Sequence, residues 1–200
     1  REFAILTGRE TTADLALEDQ GTLFHVDDDA PGEGVGSAAK PYRRIQQALE
    51  ATSEGDTVLV APGIYREEVV LLSGVTLLGA GADATFLDGE DRRGVVEIDG
   101  VEDVVLQGFS IVRGQGKRKH PIDKVVPSFG GILVQNSSAV RISHNLIISN
   151  TSAGGGGGGI ACYGGDSTVV ITDNLIVGNT TRGEPATWWL ARGGGGVYFA

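Results

Sequence analysis

The sequence predicts an all-β chain wound as a parallel β-solenoid. Three observations predict it: a gapless internal repeat, a recurring glycine-led strand, and no helical periodicity between the copies. The segments VVLQGFSIVRG (104–114), VRISHNLIISN (140–150) and VVITDNLIVGN (169–179) align without gaps, at offsets of 36 and then 29 residues. A partial copy, VTLLGAG (75–81), lies 29 residues before the first. Beside them recur GVVEI (94–98), GGILV (130–134), GGIAC (158–162) and GGVYF (195–199). Each unit therefore reads as a GG-strand, a turn, a VxI-type strand, a tight turn, and a second apolar strand ending at Asn or Gly. Three short strands per unit, rich in Val, Ile and Leu, bury an apolar face only against neighbouring coils.

The elements follow in chain order. Residues 1–22 are expected to be an irregular lead-in, and 23–200 the solenoid. HVDDDAPGEG (25–34) offers Asp27, Asp28, Asp29 and Glu33, hard oxygen ligands suited to Ca²⁺. Pro31 and Gly32 break EF-hand spacing, and a solvated acidic turn accounts for the run as well. Pro41 stands where a helix would start, with Tyr42, Ile45 and Leu49 on one face and Gly55 as the stop. Such a short helix would cover the open end of the first coil, which is otherwise a bare core and a sheet edge. DTVLVAPGIY (56–65) then reads as strand and turn. Asn145 and Asn174 share one repeat position, where stacked amides form an asparagine ladder along the axis. Asn136, Asn150 and Asn179 lie in Asn-x-Ser/Thr sequons, and turn stabilisation explains them economically. Cys162, the single cysteine, sits in the apolar run IACY and reads as a buried thiol.

Composition narrows the function. Sixteen Lys and Arg against 26 Asp and Glu leave a formal charge of −10, which argues against nucleic acid as the partner. No run of about 18 apolar residues exists, so no span of a membrane is expected. The chain has no Met and begins at Arg1, as expected of a processed or excised piece. It stops at Ala200 inside a strand, so further coils are expected after it.

The string IQQALEATSEGDTVLVAPGIYREEV followed by SGVTLLGAG resembles the opening of the pectin-lyase-like right-handed parallel β-helix superfamily. NLIISN and NLIVGN resemble its coil repeats, with Asn at the tight second turn. The resemblance covers about residues 23–200 and implies a right-handed parallel β-helix with a short N-terminal capping helix. The superfamily holds polysaccharide lyases, glycoside hydrolases, pectin methylesterases, phage tailspikes and surface proteins, so fold does not select activity. The opening block is similar to that of pectin methylesterases, but their GQDT and DxxFG motifs do not occur here. The NTD, GDD and GHG set of polygalacturonases and the WIDH motif of pectate lyases are also absent; Thr172-Asp173-Asn174 has a different order and sits at the ladder position.

In this family the substrate cleft lies beside the GG-strand, between long turns. The turns here are QGKRKHPIDKVVPSF (115–129), TSAGGGGG (151–158) and TTRGEPATWWLARGG (180–194). Two long turns about 10 Å apart, with a glycine turn between, would make a notch one sugar wide, floored by bare backbone. One wall carries Lys117, Arg118, Lys119, His120 and Lys124; the other carries Arg182, Trp188, Trp189 and Arg192. Indole faces stack on sugar rings, and clustered cations pair with carboxylates or sulfates. A solvated basic loop and a Trp pair packed on the coil flank are the bland alternatives. By alternation the outward floor is Glu97, Leu133, Ala161 and Tyr198, one carboxylate and two aliphatics, a poor catalytic row.

The expected function is an exported β-helix, extracellular, at the cell surface or periplasmic. It binds or degrades an acidic, uronate-rich polysaccharide as a monomer. If an enzyme, it is a polysaccharide lyase or glycoside hydrolase. The alternative is a non-enzymatic surface or adhesion module.

Overall fold

A computed structural model describes residues 21–116, 129–153, 156–164, 168–182 and 195–199. The chain enters through β1 (Leu23–Val26) and one helical turn, α1 (Ile45–Leu49), and then repeats a single circuit. The first coil is β2 (Thr57–Val60), β3 (Gly63–Tyr65) and β4 (Val69–Val70). The second is β5 (Thr76–Gly79), β6 (Thr85–Asp88) and β7 (Val96–Asp99). The third adds a strand: β8 (Val105–Gln107), β9 (Ser110–Val112), β10 (Gln115–Gly116) and β11 (Ile132–Gln135). The fourth is β12 (Val140–Ser143), β13 (Leu146–Ile148), β14 (Thr151–Ser152) and β15 (Ile160–Tyr163). The fifth is β16 (Val169–Thr172), β17 (Leu175–Val177), β18 (Thr180–Thr181) and β19 (Val197–Phe199).

Stacking the coils gives the sheets β1-β2-β5-β8-β12-β16, β3-β6-β9-β13-β17, β4-β7-β11-β15-β19 and β10-β14-β18. The pairings within them are parallel, so the molecule is a parallel β-helix. Parallel crossovers are right-handed by rule. Alternation sends every second residue inward, and register stacks like on like. Val58, Leu77, Leu106 and Ile142 form one such column, each wholly buried. Each is worth about 1.5–3 kcal/mol of burial.

The short β10-β14-β18 sheet was not anticipated. The first two residues of each of the three turns stay extended and pair; Asn150 and Asn179 precede the second and third, and Gly114, whose N–H is held by Asn150, precedes the first. Two columns of asparagine run along the corners. The Phe109 N–H donates to Asn145 Oδ1 (3.0 Å), and the Asn145 N–H and Nδ2 both donate to Asn174 Oδ1 (2.9 and 3.1 Å). Five residues on, the Gly114 N–H donates to Asn150 Oδ1 (2.7 Å), and the Asn150 N–H and Nδ2 donate to Asn179 Oδ1 (both 3.0 Å). Asn150 Nδ2 also donates to Ile111 O (2.8 Å). These side chains satisfy backbone groups where the chain turns away from the ladder.

The N-terminal end departs from expectation. The helix does not begin at Pro41; it is one turn, from Ile45 to Leu49. Tyr42 is instead drawn into a strand-like bridge with Val26, exchanging hydrogen bonds with His25 and Asp27. The helix start is capped from 22 residues away: buried Glu67 accepts from the Ile45 and Gln46 N–H groups (2.9 and 3.1 Å). Its Ile45, Ala48 and Leu49 close the core. Side chains also block the sheet edges here. Gln46 Oε1 accepts from the Val70 N–H of edge strand β4 (2.9 Å), and Asp28 Oδ2 accepts from the Ile64 N–H of edge strand β3 (3.1 Å). Blocked edges oppose intermolecular strand pairing.

Asp88, at the end of β6, is only 3% exposed. Arg113 of the next coil grips it with two nitrogens, Nε at 2.9 Å. The Glu90 N–H donates to it as well (2.9 Å). Burial pushes the Asp88 carboxyl up, but these bonds outweigh burial and hold it below the usual carboxylate range. Its folded pKa is therefore depressed. The stability it contributes is present above about pH 4 and is lost as pH falls through the folded value. Melting curves between about pH 5 and pH 2 should fall less steeply for Asp88→Asn than for the wild type; parallel curves would refute the coupling.

Candidate functional site

The GG-strand sheet, β4-β7-β11-β15-β19, carries the expected floor. Its register does align Glu97, Leu133, Ala161 and Tyr198 in one outward row. The row is not open throughout. Leu133 (2% exposed) and Ala161 (0%) are buried in a second small cluster with Phe129, against which Tyr163 packs. The Phe129 ring lies on Gly94, where a Cβ would come within 2.3 Å of it. A bulky aromatic just before the GG-strand thus seals the middle of the floor. Glu97 and Tyr198 stand three strands apart, about 14 Å at ordinary strand spacing.

A second outward row, two residues along, was missed by sequence reading: Asp99, Gln135 and Tyr163 are register partners. Period-two alternation carried one step further would have found it. Asn136 Nδ2 donates to Asp99 Oδ1 (3.3 Å), so carboxylate and amide are already oriented together. Tyr163 and Tyr198 come together as a tilted pair, ring centroids 5.5 Å apart with 56° between planes. Burial, with smaller contributions from Tyr198 and Cys162, pushes the Tyr163 phenol up to about 12, so it stays protonated at neutral pH. Behind it, burial pushes the Cys162 thiol up to about 11, consistent with an inert core cysteine.

The glycine turn is not a floor of bare backbone. Gly156–Gly159 are buried. The Gly131 and Ile132 N–H groups donate to the carbonyls of Gly158 and Gly159 (2.9 and 2.8 Å). A Cβ on Gly130 or Gly131 would sit 2.2 or 2.5 Å from those same carbonyl oxygens, and one on Gly158 would sit 2.3 Å from Thr180 O. Glycine is required because main chain lies directly on main chain from coil to coil.

The remaining expected residues divide. Arg182 is exposed at the end of β18, its N–H donating to Ser152 O (2.7 Å), on the short sheet rather than the GG sheet. Lys117, Arg118, Lys119, His120, Lys124, Trp188, Trp189 and Arg192 lie outside the described residues. Asp27, Asp28 and Asp29 do not converge as Ca²⁺ ligands. Asp27 Oδ1 accepts from the Asp29 N–H (3.0 Å), Asp28 reaches across to Ile64, and among the described residues no three His, Cys, Asp or Glu side chains group to hold a metal. The acidic run serves the turn and the edge block. A concavity of about 280 Å³ lies elsewhere, on the outer face of β1-β2-β5, lined by His25, Asp27, Pro41, Leu59 and Leu78 among others. Among the described residues no helix is long and apolar enough to cross a membrane.

The stacked parallel sheets define the class: a parallel β-helix. No protein-family model matches the chain, and no curated protein matches it in sequence. Among solved structures it is similar to a pectin methylesterase mutant in complex with a hexasaccharide, at TM-score 0.42 and 12% identity. The match covers 74% of this chain, which spans 49% of that one.

Proposed function

We propose that this β-helix binds polysaccharide along the outer face of the β4-β7-β11-β15-β19 sheet. The observation that carries this is the Tyr163–Tyr198 pair, flanked on the same face by Asp99, Gln135 and Asn136 and, further along, by Glu97. Aromatic rings pack on the apolar faces of sugars, while carboxylates and amides bond the hydroxyls. The reading includes export, which would bring the face to glycans outside the cell. The preference for an acidic glycan rests on Arg182 and on the basic residues of 117–124 and 183–194. The described face itself carries two carboxylates, so neutral and acidic glycans belong in one test.

Affinity electrophoresis through gels containing pectate, alginate or neutral glucan provides that test. Retardation in one glycan, reduced about tenfold or more in affinity by Tyr163→Ala/Tyr198→Ala, is the expected result. A further loss in Trp188→Ala/Trp189→Ala is expected if the Trp turn is a wall. Unchanged mobility in every gel would overturn the reading. Turnover is a separate question, read as new reducing ends or unsaturated products lost in Glu97→Gln/Asp99→Asn. The second reading, a non-enzymatic surface module, is favoured by one observation: Phe129 seals Leu133 and Ala161, closing the middle of the floor.

A further inference from the structure

The concavity on the outer face of β1-β2-β5 lies on a different sheet from the glycan face, and its shape follows from register. His25, Leu59 and Leu78 are register partners and stand side by side as one outward row. Two residues further along, just past the strand ends, come Asp27, Ala61 and Ala80. The first row is bulky; the second, apart from Asp27, is only methyl groups, so the surface steps down from one row to the next. A tight turn of the entry segment makes the wall. The His25 N–H donates to Gly36 O (2.8 Å) and His25 O accepts from the Tyr42 N–H (2.9 Å), which ties both ends of that turn to β1. Between them Ser37 and Lys40 form an antiparallel bridge, the Lys40 N–H donating to Ser37 O (3.0 Å). Ala38 at the tip and Pro41 at the base give the wall an apolar lining.

The polar side chains gather at one end. His25 and Asp27 are two residues apart and both line the hollow. Asp27 Oδ1 takes the Asp29 N–H (3.0 Å), and a carboxylate with two oxygens keeps acceptor capacity beyond that one bond. A carboxylate accepts and does not donate, so a ligand head here must bring N–H or O–H donors. The neutral imidazole of His25 can take either role. Charge selects further. Residues 25–43 carry Asp27, Asp28, Asp29 and Glu33 against Lys40 and Arg43, in a chain of formal charge −10, and Arg43 is turned onto Asp28 O (3.1 Å). That field favours a cation over a neutral or anionic head.

We propose that this hollow binds a small organic ammonium ion, with its amine on Asp27 and His25 and its apolar ring or chain on Leu59, Leu78, Ala61 and Ala80. Its volume of about 280 Å³ falls just below the ~300–1,000 Å³ of drug-sized pockets, so it suits a single ring rather than a polymer. The site does not depend on the glycan reading and makes a separate use of the molecule.

The test titrates benzylamine, charged at neutral pH, into the whole chain and follows amide and methyl shifts by NMR. Saturable shifts confined to the two rows and the wall turn are expected. Benzyl alcohol, the neutral counterpart, should bind about threefold or more weakly, and benzoate should not compete. Asp27→Asn keeps an acceptor for the Asp29 N–H but loses the charge, and should weaken benzylamine by about threefold or more. Ala80→Leu fills the lower row at an exposed position, and should weaken it at least about tenfold with the melting temperature unchanged. No saturable shift, shifts centred elsewhere, alcohol binding as tightly as the amine, or full affinity in either variant would overturn the proposal.

Discussion

Gly158→Ala is expected to destabilise the protein by about 3 kcal/mol or more, lowering its melting temperature by roughly 6–12 °C. The added Cβ would sit 2.3 Å from Thr180 O, with the Thr180 carbonyl carbon and N both at 2.7 Å. Those are backbone atoms of the next coil, locked by the Thr180 N–H bond to Asn150 O (2.8 Å), and they cannot rotate away as a side chain would. Relief means prising two coils apart, which also costs the ladder on either side. Gly196→Ala is the control. It lies in the same GG motif one coil on, yet a Cβ there meets nothing within 4 Å. It should be neutral or stabilise by about 0.4–1 kcal/mol through the unfolded chain. Equal effects at the two positions would show that glycine is present for flexibility rather than for close approach.

Asn150→Ala is expected to cost about 3–5 kcal/mol. Asn150 is wholly buried, and its amide serves both neighbouring coils. Truncation strands the Gly114 N–H and removes the donor to Ile111 O and to Asn179 Oδ1. An orphaned buried polar group costs about 1–3 kcal/mol, and alanine cannot let water replace all three bonds. Asn136→Gly is the contrasting variant. Asn136 is exposed, has φ 49°, and makes one long bond to Asp99. Glycine accepts that backbone, so the change should stay within about 0.5 kcal/mol. Urea midpoints for the two variants decide the matter; similar small losses would mean the column adds little.

The coil register was legible before any coordinates. Strand alternation has a period of two and the repeat aligns without gaps, so Glu97, Leu133, Ala161 and Tyr198 follow as one row. Two things hid the rest of the site. Phe129 lies outside the repeat, so nothing local says that its ring folds back over Leu133. Tyr163 ends its strand beside a turn, and its pairing with Tyr198 arises only when the next coil lands at strand spacing. The helix start was misplaced for a similar reason. Pro41 is locally suited to begin a helix, but the cap that sets the start is Glu67, distant in sequence.

The sequence by itself determined the architecture of this protein: repeat length, inward columns, and asparagines where the chain turns. These depend on periodicity, which any one unit carries within itself. Only the tertiary structure decided what the glycines, the acidic turn and the outward residues do. Each of those roles depends on an atom one coil away, whether Thr180 O beneath Gly158, Ile64 N beside Asp28, or Tyr198 against Tyr163. Contacts between coils exist only after stacking has brought distant residues to van der Waals distance.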